Sequence, residues 1–231
     1  MLIVRDMIDN EFYRGAAINL PPELTKLQQD SECVRAHLVS IRGGAMFLSP
    51  ADAERLHGWL TDGVTPQEII LAIERAAEKR AQQLSKLPLT LAQAKRHLGK
   101  PTQSFALDTK NITAHPMSGI AQMLQKKAQS DKDRKTIDTL RTQLLALNKH
   151  EKDLVRQAML LVSHFFIHRW AQLSLPERTA LEEQAAHALG DLRALLTPKQ
   201  LHNAIEERTR AMLREDFPYL SAATILAQVK E

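Results

Sequence analysis

Residues 48–101 read LSPADAERLHGWLTDGVTPQEIILAIERAAEKRAQQLSKLPLTLAQAKRHLGKP, and their grammar is that of three successive helix starts. Ser49 precedes Pro50, with Asp52 at the third helical position. A hydroxyl there accepts from the orphan N–H groups of the first turn, proline at the first position sacrifices no bond, and the carboxylate serves as a short capping-box partner. Ala53, Leu56 and Leu60 then share a face flanked by Trp59, and Gly63 supplies the left-handed residue that closes the helix. Thr65, Pro66 and Glu68 form a full capping box, with Val64 and Ile69 placed as a hydrophobic staple. Ile69, Ile70, Ile73, Ala76, Ala77 and Leu84 keep a helical period, opposite Arg75, Lys79 and Arg80. Thr90 with Gln93 opens a third helix through Leu91, Ala94 and Leu98, which Gly99 and Pro101 stop. Helices joined by turns this short must fold back to bury their stripes together.

Outward from this stretch the same bias persists. Eight glycines in 231 residues, 44% apolar content and abundant Ala, Leu, Gln, Glu, Lys and Arg favour an all-α fold. Pro21-Pro22 opens a helix whose face runs Leu24, Leu27, Val34, Leu38, Ile41 and ends at Gly43-Gly44. Residues 1–20 show no decisive period and form a packed arm or a short helix. TQSFALDTKNITAHPMSG breaks the pattern, which places a linker at 101–118 between helical domains at 1–100 and 119–231. Beyond it Ile137, Leu140, Leu144, Leu147, Leu154, Ala158, Leu161 and Phe165 follow heptad spacing, with Glu151 the exception. That predicts a long helix, or an antiparallel pair broken at 148–150, and offers a seam for a homo-oligomer; an ordinary long core helix has the same spacing. Ser174 with Glu177 and Thr197-Pro198 with Gln200 start two more helices. TPKQLHNAIEER resembles TPQEIILAIER at an offset of 132, so either a diverged duplication or shared helix-start chemistry repeats here.

One cysteine, Cys33, excludes a disulfide framework and fits a reducing, cytoplasmic setting. MLIVRDMIDNEF carries acids where a signal peptide wants apolar residues, and no apolar run approaches a membrane span. The chemistry-bearing patterns GxxxxGK[ST], GxGxxG, CxxC and HExxH do not occur, and Gly43-Gly44 is too isolated for a phosphate loop. His164 and His168, with Glu183 and His187 on the next helix, have the spacing of a bundle metal site; ordinary core or interface histidines have it equally. Cys33 has His37 one turn away but no context that marks a nucleophile. The expectation is therefore a protein without catalytic residues, metal or cofactor.

Charge is segregated. Residues 1–74 carry net −5 and residues 75–100 net +6, within an overall +4. Such a run is either a solvated helix face or a surface for nucleic acid or an acidic partner. Arg75, Lys79, Arg80, Lys86, Lys95, Arg96 and Lys100 are the candidate phosphate-binding residues. No aromatic interrupts them, which argues against a base-stacking platform within this segment.

With Leu48-Ser49-Pro50, Trp59-Leu60, Gly63 and Ala76-Ala77 in place, LSPADAERLHGWLTDGVTPQEIILAIERA resembles the C-terminal helical domain of the DnaD family of primosome and helicase-loading proteins. That family continues into a tyrosine-isoleucine motif and a further DNA-binding helix, where this chain has Leu87-Pro88-Leu89-Thr90 and its basic helix. The resemblance implies helical packing and a replication-type DNA or protein partner. Together these readings lead to a non-enzymatic nucleic-acid-associated accessory protein, working in a larger complex with a protein partner. The alternative is a protein-binding adaptor or structural subunit that makes no nucleic-acid contact.

Overall fold

The computed structural model describes residues 25–44, 46–83, 88–100, 115–130, 133–148 and 153–230. Among them the fold is all helical: α1 (Lys26–Arg42), α2 (Pro50–Thr61), α3 (Pro66–Gln83), α4 (Leu91–Ala94), α5 (Ser118–Ser130), α6 (Arg134–Ala146), α7 (Leu154–Gln172), α8 (Leu175–Ala188), α9 (Pro198–Glu215) and α10 (Ala222–Lys230). Short 3-10 turns at Lys95–His97, Gly190–Leu195 and Pro218–Leu220 extend or join them.

Capping chemistry sets most of these starts. The Glu68 N–H donates to Thr65 Oγ1 at 3.3 Å while Glu68 Oε2 accepts from the Thr65 N–H at 2.9 Å. Ser174 with Glu177 and Thr197 with Gln200 close the same reciprocal pair. Ser49 caps α2, but Asp52 departs from its expected part. Its carboxylate turns inward and accepts from the Leu91 N–H at 3.0 Å, so a residue of α2 caps α4. The first helix begins at a Thr25–Gln28 capping box; Pro21-Pro22 and the arm at 1–20 lie outside the described residues. Gly63, at φ 86°, ends α2 as its position implies.

The centre of the molecule is α7, which packs along α1. Ala158 to Val162 are all buried, and a helix apolar on every side belongs inside a fold rather than along a two-helix seam. The heptad series is accordingly shared between two helices, α6 and α7, and its Leu140, Leu144, Leu154, Ala158, Leu161 and Phe165 are buried within one chain. Of the break expected at 148–150 only Asn148 lies within the described residues, past the end of α6 at Ala146.

The expected division at 101–118 does not separate two cores. Buried apolar side chains from Cys33 through Ile225 form one continuous cluster, to which α1, α3, α7 and α10 all contribute. Met117, assigned to the linker, is fully buried at the head of α5. Residues 101–114 lie outside the described residues. Among the described residues no helix is long and apolar enough to cross a membrane.

The two similar starts open helices of equal length: α3 and α9 both span 18 residues, offset by 132. Glu74 and Glu206 occupy matching places at that offset. Each reaches a backbone N–H elsewhere, Ala222 for Glu74 at 2.9 Å and Gly44 for Glu206 at 2.7 Å.

Candidate nucleic-acid interface

The basic segment is built on α3 and the turn that crosses it. Ile69, Ile70 and Ile73 are buried, which holds the opposite flank of α3, with Lys79, toward solvent. Leu91 and Ala94 are buried as well. They pin α4 and the following 3-10 turn against α3, and they leave Lys95, Arg96 and Lys100 exposed.

His97, half-buried at the end of that turn, reports how close the cations stand. Burial lowers its pKa first, and Lys100, Lys79, Arg75 and Arg96 lower it further. Four positive side chains from two elements therefore share one field, centred on a group that stays neutral at pH 7. Glu78 is the acid among them. Burial and the nearby Glu74 raise its pKa, while Arg75 acts in the opposite sense.

Of the seven residues expected in this surface, Arg75, Lys79, Arg96 and Lys100 all act on His97, and Lys95 is exposed on the same turn. Lys86 lies outside the described residues. Arg80 is different. Its guanidinium grips Glu207 of α9 at 2.8 and 3.0 Å and donates to Gln93 Oε1 at 3.2 Å. With only 10% of the side chain exposed, Arg80 is a strut between α3, α4 and α9, and it does not present its charge outward. Glu207 lies 127 residues away, so local helical spacing could not reveal the pairing.

The sequence also gave no sign of a buried polar cluster beneath α3. His37 of α1 sits between Ser163 of α7 and Glu74 of α3, at 3.1 Å from Nδ1 to Ser163 Oγ and 3.5 Å from Nε2 to Glu74 Oε1. Glu74 also accepts from the Ala222 N–H at the start of α10. Arg214 of α9 stands nearby, donating to Ser40 Oγ at 2.5 Å with its guanidinium 4.1 Å above the Phe166 ring. Burial lowers the pKa of His37 against the pull of Glu74, so the imidazole is neutral. Burial alone would raise Glu74, but His37, Arg214 and the Ala222 N–H outweigh it and keep the carboxyl ionised. Burial brings Arg214 down to about 10, which leaves it charged. Serine, imidazole and carboxylate follow one another as in a nucleophilic relay. Ser163 is 0% exposed, however, and its hydroxyl lies 2.8 Å from the Met159 carbonyl. The group joins five helices.

The remaining candidates resolve similarly. The Cys33 thiol is buried, donates to the Arg156 carbonyl at 3.5 Å, and has its pKa pushed up to about 12 by burial. That is the opposite of nucleophile activation. Glu183 and His187 are exposed on α8, which packs on α9, while His164 and His168 belong to α7. Among the described residues no group of three or more His, Cys, Asp and Glu side chains is gathered to hold a metal ion.

Against family models, curated proteins and solved structures alike, this chain finds no match.

Proposed function

We propose that the protein is a non-enzymatic, nucleic-acid-associated accessory protein that contacts phosphates through Arg75, Lys79, Arg96 and Lys100, with Lys95 at the margin. The observation that carries this reading is the packing of α4 and the 95–97 turn on α3, which brings the helix that exposes Lys79 against the segment that exposes Lys95, Arg96 and Lys100. Cations carried on neighbouring packed elements offer a phosphate chain several contacts at once. The resemblance of residues 48–77 to the DnaD-type helical domain supports a role in replication or in assembling a DNA complex.

Reversing Lys79 and Arg96 to glutamate tests it. Affinity for nucleic acid should fall whatever the base sequence, and the plot of log K against log salt should flatten by about one unit per lost phosphate contact. The fold should hold, because exposed charge changes usually move stability by less than about 0.5 kcal/mol. Unchanged affinity in the folded double variant would reject this surface. The second reading, a protein-binding adaptor, is favoured by Leu175 and Leu195, which are 78% and 64% exposed.

A further inference from the structure

The loop joining α1 to α2 carries an aromatic side chain that the core does not use. Phe47 is 80% exposed. Leaving a phenylalanine in water forgoes the free energy its burial would supply. Yet the backbone beneath it is tightly held. Arg42 donates to the Phe47 carbonyl at 3.1 Å, and Arg35 donates to the Met46 carbonyl. Glu32 grips Arg35 in turn, at 2.6 Å. At the other end of the loop Gly43 and Gly44 have φ of 70° and 73°. A Cβ on Gly43 would lie 2.3 Å from the side chains of Glu206 and Arg210. Only glycine permits both that conformation and that approach. The ring therefore projects from an anchored support.

Two routes tie this support to the basic face. Arg42, which holds Phe47, also faces Asp52 at 3.7 Å, and Asp52 accepts from the Leu91 N–H at the head of the basic segment. On the other side, Glu206 holds Gly44 while the adjacent Glu207 holds Arg80, next in sequence to Lys79. Glu32 and Asp52, which contact the arginines that hold the loop, are engaged by Arg35 and by Arg42 and Arg55.

Building on the phosphate-binding reading of α3 and the 91–100 segment, we propose that Phe47 is a base-stacking contact and that this surface takes single-stranded nucleic acid. An unstacked base offers a π-face to an exposed ring, while the chain continues over Arg75, Lys79, Arg96 and Lys100. In a duplex every base face is covered by its neighbour, so the ring gains nothing there. Residues 75–100 contain no aromatic; the loop that carries Phe47 is tied to the basic segment through Arg42, Asp52 and the Leu91 N–H. An acidic protein segment is the competing occupant. An exposed ring on a loop tied to a cationic segment favours the nucleic acid, which pairs planar apolar faces with regularly spaced charges.

The test is fluorescence anisotropy with a labelled oligothymidylate and a duplex of equal length, on the full chain and on three variants: Phe47→Ala, Phe47→Trp, and Lys79→Glu with Arg96→Glu. Phe47→Ala should weaken single-strand binding by roughly 5- to 150-fold, the worth of one stacked base, with duplex affinity and salt slope unchanged. Phe47→Trp should retain binding and show quenching of the new indole by the oligonucleotide. If the charge-reversed variant loses affinity while Phe47→Ala stays within about twofold of the parent, stacking is overturned and the phosphate surface stands. If the parent binds neither nucleic acid at low salt, both fall. Equal losses on single strand and duplex would overturn the strandedness. Loss in Phe47→Ala of binding to poly-glutamate, with oligothymidylate affinity intact, would assign the ring to a protein partner instead.

Discussion

Replacing Glu74 by glutamine tests whether the buried polar cluster holds the helices together. The shape is kept and the Ala222 N–H still finds an oxygen, but Arg214 loses the favourable field of the Glu74 carboxylate. Glu74 acts on Arg214 through its field and not as a direct ion pair, so the loss stays below the value of about 3–5 kcal/mol for a broken buried pair. Arg214 keeps its bond to Ser40 and its place over Phe166, so the expected loss is about 1–3 kcal/mol. Glu74→Ala should lose about 1–2 kcal/mol more by leaving the Ala222 N–H unsatisfied. Urea melts report both, and the Arg214→Met partner variant completes a double-mutant cycle in which the coupling should exceed about 1 kcal/mol.

The pH dependence has a definite sign. The folded state lowers the His37 pKa, so below the unfolded value of 6.5 the unfolded chain takes up a proton that the native chain refuses. Stability is therefore present above that value and falls as pH drops toward the native pKa, by at most about 1.4 kcal/mol per unit. Glu74, also lowered, adds a loss in the same direction below its own unfolded value of 4.5. A Glu74→Gln variant within about 0.5 kcal/mol of the parent, with an unchanged acid limb, would refute this account.

Thr65→Ala should cost about 1 kcal/mol through its cap, and Ile73→Ala, 0% exposed, about 2–5 kcal/mol; equal, negligible shifts in urea midpoint would contradict the packing of α3. Leu144→Asp should abolish folding by circular dichroism, since Leu144 is buried inside one chain; a folded variant of reduced sedimentation mass would instead make the heptad series an oligomer seam. Because bound phosphate offsets the cations that lower His97, binding should take up a proton. Oligonucleotide affinity should then rise as pH falls below about 7, by at most tenfold per unit, and His97→Ala should flatten the profile. A flat profile in the parent would detach His97 from the surface.

What the sequence disclosed and what it concealed divide along sequence distance. Helix starts are local chemistry: Thr65 meets Glu68, and Ser174 meets Glu177, within one turn. Those were readable. Asp52 looked like another such partner, but its acceptor role is claimed by Leu91, 39 residues on. Likewise, nothing within α3 distinguishes Arg80 from Lys79; only Glu207 does. The apolar run of α7 held a heptad subset, and which reading applied depended on α1 covering its remaining sides. Phe47 escaped notice because the support that makes it a feature rests on Glu206 and on arginines of α1.

The paired glutamates of α9 have a consequence for biosynthesis. Glu206 and Glu207 secure the Gly44 loop and Arg80 across 162 and 127 residues of chain. A ribosome delivers the entire cationic stretch long before it delivers its fasteners. Contacts so remote in sequence form late, after much loop closure has been completed. Until α9 emerges, the nascent protein holds its positive charges without the geometry that aligns them. The surface matures only once α9 has been made, so on the proposed reading a shorter nascent chain does not yet offer aligned cations to a polyanion.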